Sequence, residues 1–266
     1  MTDLVEILAA TPWLLATCTF VLSLLVGSFL NVVIHRVPIM LEREWRAQAR
    51  EMFVEPGQTD DDGTVEVRTD VRLERYNLLV PRSRCPGCNA EITALQNIPV
   101  VSWLLLGGRC ASCRASISVR YPIVELATAV LSTAVALHFG WHWQTLAALL
   151  FTWALISLTV IDLDHTLLPD IITMPLLWLG LLLSPFWHAG LTAPAPTDPA
   201  SAILGAVCGY LVLWTVFWAF KFATGKDGMG YGDFKLLGAL GAWMGWQMLP
   251  LILLLSALAG AVVGIA

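Results

Sequence analysis

Charged side chains are scarce in this chain of 266 residues: together they make up 13% of it, against about 25% in a typical soluble domain. Hydrophobic residues make up 57%, and the mean hydropathy is +0.72. This composition excludes an ordinary soluble domain and indicates a membrane protein. Basic residues are also few, with 15 Lys and Arg against 20 Asp and Glu. No basic surface suited to nucleic acid is present, so no nucleic-acid partner is expected.

The N-terminus lacks the features of a removable signal peptide. No Lys or Arg precedes the first apolar run, and no small-residue cleavage site follows it. We therefore expect this run to remain as a membrane helix.

Seven apolar stretches predict an all-α polytopic membrane protein. Six of them are long enough to cross a membrane, which takes roughly 17–25 residues, and they cover residues 8–34, 123–139, 144–161, 171–187, 201–222 and 249–266. A shorter, Gly-rich run near 234–247 is typical of a broken or tilted helix. The chain stops at Ala266 inside an apolar run.

The cations are confined to two regions, and this predicts an orientation. Twelve Arg lie between Arg36 and Arg120, and the three lysines are Lys221, Lys226 and Lys235. The positive-inside rule places residues 35–121 and 221–235 in the cytoplasm and the N-terminus outside. The chain thus divides into a first membrane helix (1–34), a cytoplasmic domain (35–121) and a membrane-embedded domain (122–266).

Two C-x-x-C pairs lie in the cytoplasmic domain: Cys85 with Cys88, and Cys110 with Cys113. Each pair presents two thiolates from one tight turn, and two such turns complete a tetrahedral Zn²⁺ shell. We expect a structural zinc site, because four sulfurs leave no coordination position for water. Redox-active pairs and chance spacing are the alternatives. Cys18 and Cys208 lie in apolar runs and are expected to be packing residues.

Three aspartates share the segment I-D-L-D-H-T-L-L-P-D, which spans residues 161–170. Asp162 is nearest to the preceding apolar run and is therefore the one expected inside the helix bundle. Asp164 is expected to be a residue of the membrane interface. Asp170 precedes the apolar run from Ile171, where capping of a helix start competes with a role in the site.

A fourth aspartate, Asp233, closes the segment G-M-G-Y-G-D. The glycines before it allow unusual backbone angles and close approach of another backbone. The predicted topology brings Asp162 and Asp233 to the same membrane face. Two neighbouring carboxylates that share a proton suit peptide hydrolysis, with one as general base and the other polarising the scissile carbonyl.

Other polar residues at the membrane edge have less specific interpretations. Glu125, early in an apolar run, either stabilises a helix start or contributes to a substrate or cofactor site. Lys235 is expected to be an interfacial anchor that snorkels. Two rival functions also stay open for the acidic pair: a proton-coupled transporter that uses it as a relay, and a non-catalytic assembly factor.

Taken in order, the motifs resemble the type IV prepilin peptidases, the leader peptidases/N-methyltransferases of the GxGD aspartyl class. The resemblance is carried by G-S-F-L-N-V-V-I-H-R-V-P at 27–38, Y-N-L-L-V-P-R-S-R-C-P-G-C at 76–88, N-I-P-V-V-S-W at 97–103, S-V-R-Y-P-I-V-E at 118–125 and the two aspartate motifs. It implies that Asp162 and Asp233 form the catalytic dyad. The residues expected to support the substrate or the surrounding loops are Gly230, Gly232, Asp164, Asp170 and Glu125.

The resemblance also implies an activity, partners and a location. The activity is removal of a basic leader from type IV prepilins and type II secretion pseudopilins, at the cytoplasmic face of a bacterial inner membrane. S-adenosylmethionine-dependent methylation of the new amino terminus follows it. The chain has no Gly-rich dinucleotide-binding fingerprint, so methylation rests on the resemblance alone. We place it loosely with the end of the first helix and the cysteine-bearing loop. Family members continue into a further hydrophobic segment, so eight membrane segments are expected in the complete protein.

Overall fold

The computed structural model describes residues 2–53, 76–93, 95–187 and 197–265, and its regular elements over these ranges are helices. In chain order they are α1 (Thr2–Ala10), α2 (Pro12–Phe53), α3 (Val101–Leu105), α4 (Arg120–Phe139), α5 (Trp143–His165), α6 (Asp170–Leu183), α7 (Pro199–Thr224), α8 (Tyr231–Met244) and α9 (Leu249–Ile265). The chain divides into two compact units, Met1–Gly140 and Trp141–Ala266. The predicted all-α architecture is confirmed.

Helix α2 is much longer than the apolar run that predicted it. It has 42 residues, which at 1.5 Å per residue gives about 63 Å, roughly twice the hydrocarbon core of a bilayer. Beyond residue 34 the helix continues through a Glu/Arg-rich stretch. There Arg46 pairs with Glu42 one turn away at 2.5 Å, an arrangement that favours helix.

Helix α4 packs against α2 in the first unit. A β-carbon on Gly27 would lie 2.7 Å from the Cα of Glu125, so glycine permits this approach of the two backbones. Ser23, Thr128 and Ser132 are almost fully buried. Small side chains of this kind are typical of closely packed membrane helices.

Helix α7 packs against α8 in the second unit, again through glycines. A β-carbon on Gly209 would lie 2.6 Å from the carbonyl oxygen of Leu237. Phe217 of α7 and Phe234 of α8 are almost fully buried, with ring centroids 5.6 Å apart. These contacts fix the start of α8, which carries Asp233.

Helix α6 packs on the other side of α8. The indole nitrogen of Trp243 donates to the carbonyl oxygen of Leu176 at 2.7 Å. Gly180 leaves room for the indole ring, since a β-carbon there would lie 2.8 Å from that nitrogen. Helices α6, α7 and α8 therefore share one buried layer.

Four helices of the described residues are long and apolar enough to cross a membrane: Pro12–Ala49 within α2, α4, α5 and α7. A fifth span arises if α8 and the following helix count as one broken pair, bent by 120°. The bend lies at Gly245, whose φ of 79° favours glycine. The apolar helix Asp170–Phe186 is shorter. The chain is thus a membrane protein, and the predicted count of seven spans is not confirmed.

Candidate active site and metal centre

Asp162 lies in the last turn of α5. Thr166, in the left-handed conformation at φ 48°, ends the helix and donates its N–H to the carbonyl oxygen of Asp162 at 2.8 Å. The side chains of Asp162 and Asp164 are exposed where the apolar part of the helix ends. From the sequence, the Asp162 side chain is expected inside the helix bundle, and this expectation is wrong. The backbone of Asp162 is held by the helix-ending hydrogen bond, but its carboxylate is accessible.

Asp233 lies in the first turn of α8. Gly230 precedes the helix in an extended conformation, and its carbonyl oxygen accepts the N–H of Asp233 at 3.3 Å. The carboxylate is half-buried, and a negative charge at a helix N-terminus is favourable. The next residue, Phe234, is fully buried, so the turn that carries Asp233 is held by the core.

The second unit brings Asp162 and Asp233 close enough for their carboxylates to interact electrostatically. One comes from the end of α5 and the other from the start of α8. Acid/base chemistry needs this pairing, because two neighbouring carboxylates do not ionise independently. Asp162 is exposed and Asp233 is half-buried, so the pair lies at an accessible edge of the unit.

Gly230 and Gly232, the glycines just before Asp233, have different surroundings. A β-carbon on Gly232 would lie 2.7 Å from the Cβ of Leu168, so this glycine lets the α5–α6 connection pack against the start of α8. A β-carbon on Gly230 would lie 3.8 Å from a carboxylate oxygen of Asp233, an ordinary contact distance. A side chain at Gly230 would therefore not clash, but it would occupy space next to the Asp233 carboxylate.

Asp170 and Lys235 form an ion pair that the sequence interpretation missed. The Nζ atom of Lys235 lies 2.6 Å from Oδ2 of Asp170. Asp170 is the first residue of α6, and Lys235 lies two residues after Asp233 in α8. The only available signal was opposite charge in two neighbouring motifs, and it does not reveal which charges pair.

Glu125 lies in the first unit, and its carboxylate is buried. It accepts the N–H of Val100 at 2.7 Å, just before α3, where Val100 has a φ of 59°. Ser28 of α2 also hydrogen-bonds to it. In this structure Glu125 holds the start of α3.

Arg36 is a buried cation that the sequence interpretation did not single out. Its guanidinium donates to the carbonyl oxygens of Asn77 at 2.8 Å and Pro81 at 2.6 Å. Asn31 of the same helix donates to the carbonyl oxygen of Tyr121 at 3.1 Å. Helix α2 therefore holds both ends of the segment that carries the four cysteines.

The four cysteines converge as predicted, with sulfur atoms that all lie within 4.8 Å of one another. The Sγ atoms of Cys85 and Cys113 are 3.7 Å apart. A tetrahedral shell with Zn–S distances near 2.3 Å requires sulfur separations of about 3.8 Å. The donor set and its spacing therefore fit a zinc ion.

The two cysteine turns share one backbone design. Cys85 donates its N–H to Ala90 at 3.0 Å, and Cys110 donates to Ala115 at 2.8 Å. The residues after each second cysteine, Asn89 and Arg114, have φ values of 56° and 61°. Backbone N–H groups of Cys113 and Ser112 lower the pKa of Cys110 to about 6, so the thiolate that binds metal is favoured at this position. The pKa of Cys113 is instead raised to about 11, because a lowering backbone hydrogen bond from Ala115 is outweighed by the side chain of Cys88 and by burial.

Comparison with known proteins places this geometry in a family. Residues 21–139 match the bacterial peptidase A24 N-terminal domain, and residues 149–265 match the type IV leader peptidase family. Over 266 residues the chain is 58% identical to the prepilin leader peptidase/N-methyltransferase of Aeromonas salmonicida, covering all of this chain and 85% of that protein.

Two further relatives carry the same name. The protein of Pseudomonas aeruginosa is 54% identical over 98% of this chain and 84% of its own length. That of Neisseria gonorrhoeae is 52% identical over 92% of this chain and 79% of its own length. No solved structure was found to match the chain significantly.

Proposed function

The chain belongs to the family of prepilin leader peptidases/N-methyltransferases, and on this premise we propose that it removes the basic leader from type IV prepilins and type II secretion pseudopilins and then N-methylates the new amino terminus. The observation that carries the proposal is the electrostatic pairing of Asp162 with Asp233. Two carboxylates from separate helix ends, at an accessible edge of a membrane protein, are the groups that peptide hydrolysis needs.

In the proposed reaction the two aspartates share one proton. The ionised carboxylate takes a proton from water, and the water oxygen attacks the scissile carbonyl carbon. The protonated carboxyl hydrogen-bonds to the carbonyl oxygen and supplies the proton that its developing charge requires. When the tetrahedral intermediate collapses, the C–N bond breaks and the nitrogen of the leaving amine takes a proton from one aspartate. A hydroxyl proton of the intermediate passes to the other aspartate, so the dyad again holds one proton.

The substrate fits this site chemically. A prepilin has a cationic leader before an apolar helix, so its scissile bond lies at the cytoplasmic membrane edge. Exposed Asp162 and Asp164 give that edge a negative charge that attracts a basic leader. Gly230 has no side chain and its surroundings are open, which leaves space for an extended peptide beside Asp233.

Methylation requires S-adenosylmethionine, which supplies an activated methyl group. The new amino terminus must reach it as a free amine, because the nitrogen lone pair forms the new bond. We place this step loosely with the end of the first helix and the cysteine-bearing segment, without assigning a pocket. Glu125 and Arg36 support it there by holding that segment on α2 and α4.

The four cysteines are proposed to hold one structural Zn²⁺. Their geometry fits a closed tetrahedral shell. With all coordination positions filled by sulfur, the ion would tie the two cysteine turns together and take no part in the chemistry.

We further propose an inner-membrane location with the N-terminus in the periplasm. Residues 35–121 would form a cytoplasmic zinc domain and 122–266 the membrane-embedded protease, with about seven spans in this chain. The confinement of the cations to two stretches supports this orientation. A proton-coupled transporter is not favoured, since nothing in that function calls for a four-cysteine cluster. An assembly factor needs no pair of interacting acids.

The activity is tested with the purified full chain, a prepilin carrying a basic leader and S-adenosylmethionine. Mass spectrometry is expected to show loss of the leader and one added methyl group on the new amino terminus. A prepilin left intact contradicts the protease assignment. A cleaved but unmodified terminus under saturating methyl donor contradicts the methyltransferase assignment.

A further inference from the structure

We propose that the ion pair between Asp170 and Lys235 is a positioning device that holds the first turn of α8, and with it Asp233, beside the end of α5 that carries Asp162. This inference rests on the proposed proteolytic function. Neither residue acts on the substrate in this account. They act through Asp233 and are positioning residues.

The ion pair joins two helix starts that are distant in sequence. The Nζ atom of Lys235 and the Oδ2 atom of Asp170 are 2.6 Å apart. Asp170 begins α6, which follows α5 after only a short connection, residues 166–169. A contact with Asp170 is therefore a contact close to the end of α5.

The position of Lys235 along α8 suits it to positioning Asp233 rather than to contacting the substrate. In a helix, residues two apart project about 200° from each other. Lys235 therefore leaves α8 on the side away from Asp233. Its charge is bound to Asp170, so the ion pair sets the rotation of the turn on which Asp233 lies.

A second contact acts on the same turn. Gly232 packs so closely on Leu168 that an added β-carbon would lie 2.7 Å from the Cβ of Leu168. Leu168 belongs to the α5–α6 connection. The residue before Asp233 and the residue two after it are thus both held by the segment between Asp162 and α6, one by apolar contact and one by charge.

The pair opposes a repulsion built into the site. Asp162 and Asp233 interact as like charges whenever both are ionised. An opposite-charge pair beside them keeps the two helix ends together in that state. Both partners are partly exposed, at 30% for Lys235 and 57% for Asp170. Exposed ion pairs contribute little to stability. Removing this pair is therefore expected to displace Asp233 while the fold stays intact.

The test measures kcat and KM for leader removal by the full chain. We expect Asp170→Asn and Lys235→Gln each to lower kcat about tenfold or more with KM within about twofold, because small misplacements of catalytic groups are costly. The double variant is expected to lose no more than either single variant, since both remove one interaction. The exchange Asp170→Lys with Lys235→Asp is expected to recover most of the lost kcat.

The matched control is Glu42→Gln, which removes the exposed Arg46–Glu42 pair within α2 and is expected to retain wild-type kcat. Thermal melting checks that each variant is folded. Wild-type kcat in both single variants, additive losses in the double variant, or an exchange that recovers nothing overturns the inference. A wild-type chain that cleaves no prepilin overturns the proposed function instead, so the two failures are distinguishable.

Discussion

Asp198 shows how one carboxylate fixes the start of a membrane helix. It precedes α7, and its carboxylate accepts the backbone N–H groups of Ser201 and Ala200 and the hydroxyl of Ser201 at 2.8–3.1 Å. These hydrogen bonds, those from Ser201 first, hold the pKa of Asp198 below its usual value. The ionised form therefore stabilises the helix that packs against α8.

This gives a prediction with a defined pH dependence. A folded-state pKa below the unfolded value, about 3.9, contributes stability that is present above that value and lost as pH falls through the folded pKa. Asp198→Ala is expected to lower the melting temperature at neutral pH, and its difference from wild type is expected to shrink below about pH 4. Melting curves across this range make the comparison.

Asp198→Asn is the matched control, because asparagine also caps a helix but does not titrate. It is expected to melt near the wild-type temperature at neutral pH. A wild-type-to-alanine difference that stays constant with pH contradicts the assigned role.

At the scale of elements, the two cysteine turns behave as a repeated unit. Each folds through its own backbone hydrogen bonds and a left-handed residue after the second cysteine. The turns present their sulfurs to one point. The metal ion proposed for this point would replace the hydrophobic core that so short a segment cannot build.

We expect about one zinc per purified chain, measured by elemental analysis. The double variant Cys85→Ser with Cys110→Ser removes one ligand from each turn and is expected to lose the metal. Cys18→Ser with Cys208→Ser is the control and is expected to retain it, since neither residue belongs to the cluster. Absence of metal from the wild-type chain contradicts the site.

The elements also show what the sequence could and could not predict. Spacing alone predicted that Cys85, Cys88, Cys110 and Cys113 converge, because each C-x-x-C turn is a local structure. The continuation of α2 to Phe53 was not visible in the apolar pattern, which ends where polar residues begin. The Gly-rich run near 234–247 indicated a broken or tilted helix, but the position of the bend at Gly245 depends on packing between helices, which a hydropathy run does not encode.

The same reasoning applies to the site. Asp162 and Asp233 were predicted as a pair because acids are rare beside apolar runs. Their supporting contacts were not: the Asp170–Lys235 pair and the Leu168–Gly232 contact arise only when α6 and α8 begin side by side. The sequence around each residue does not indicate which distant residues will contact it.

At the scale of the whole molecule, the proposed orientation places both regions of positive charge in the cytoplasm. Single cysteines are introduced at Trp141, between α4 and α5, and at Lys226, between α7 and α8; both positions are exposed. In a background with Cys18 and Cys208 replaced by Ser, we expect a membrane-impermeant thiol reagent to label position 141 in intact spheroplasts. Position 226 is expected to react only after permeabilisation. Equal labelling of both in intact spheroplasts contradicts the orientation.

The central claim is that Asp162 and Asp233 work as one acid/base unit, and prepilin cleavage by Asp162→Asn and Asp233→Asn tests it most directly. Each variant is expected to lose cleavage, by about 10⁴-fold or more as for other groups that act as a unit, while Asp227→Asn, which removes an exposed partner of Lys221, retains it. All three are expected to insert and melt like the wild type. Near-normal cleavage by either dyad variant would contradict the account.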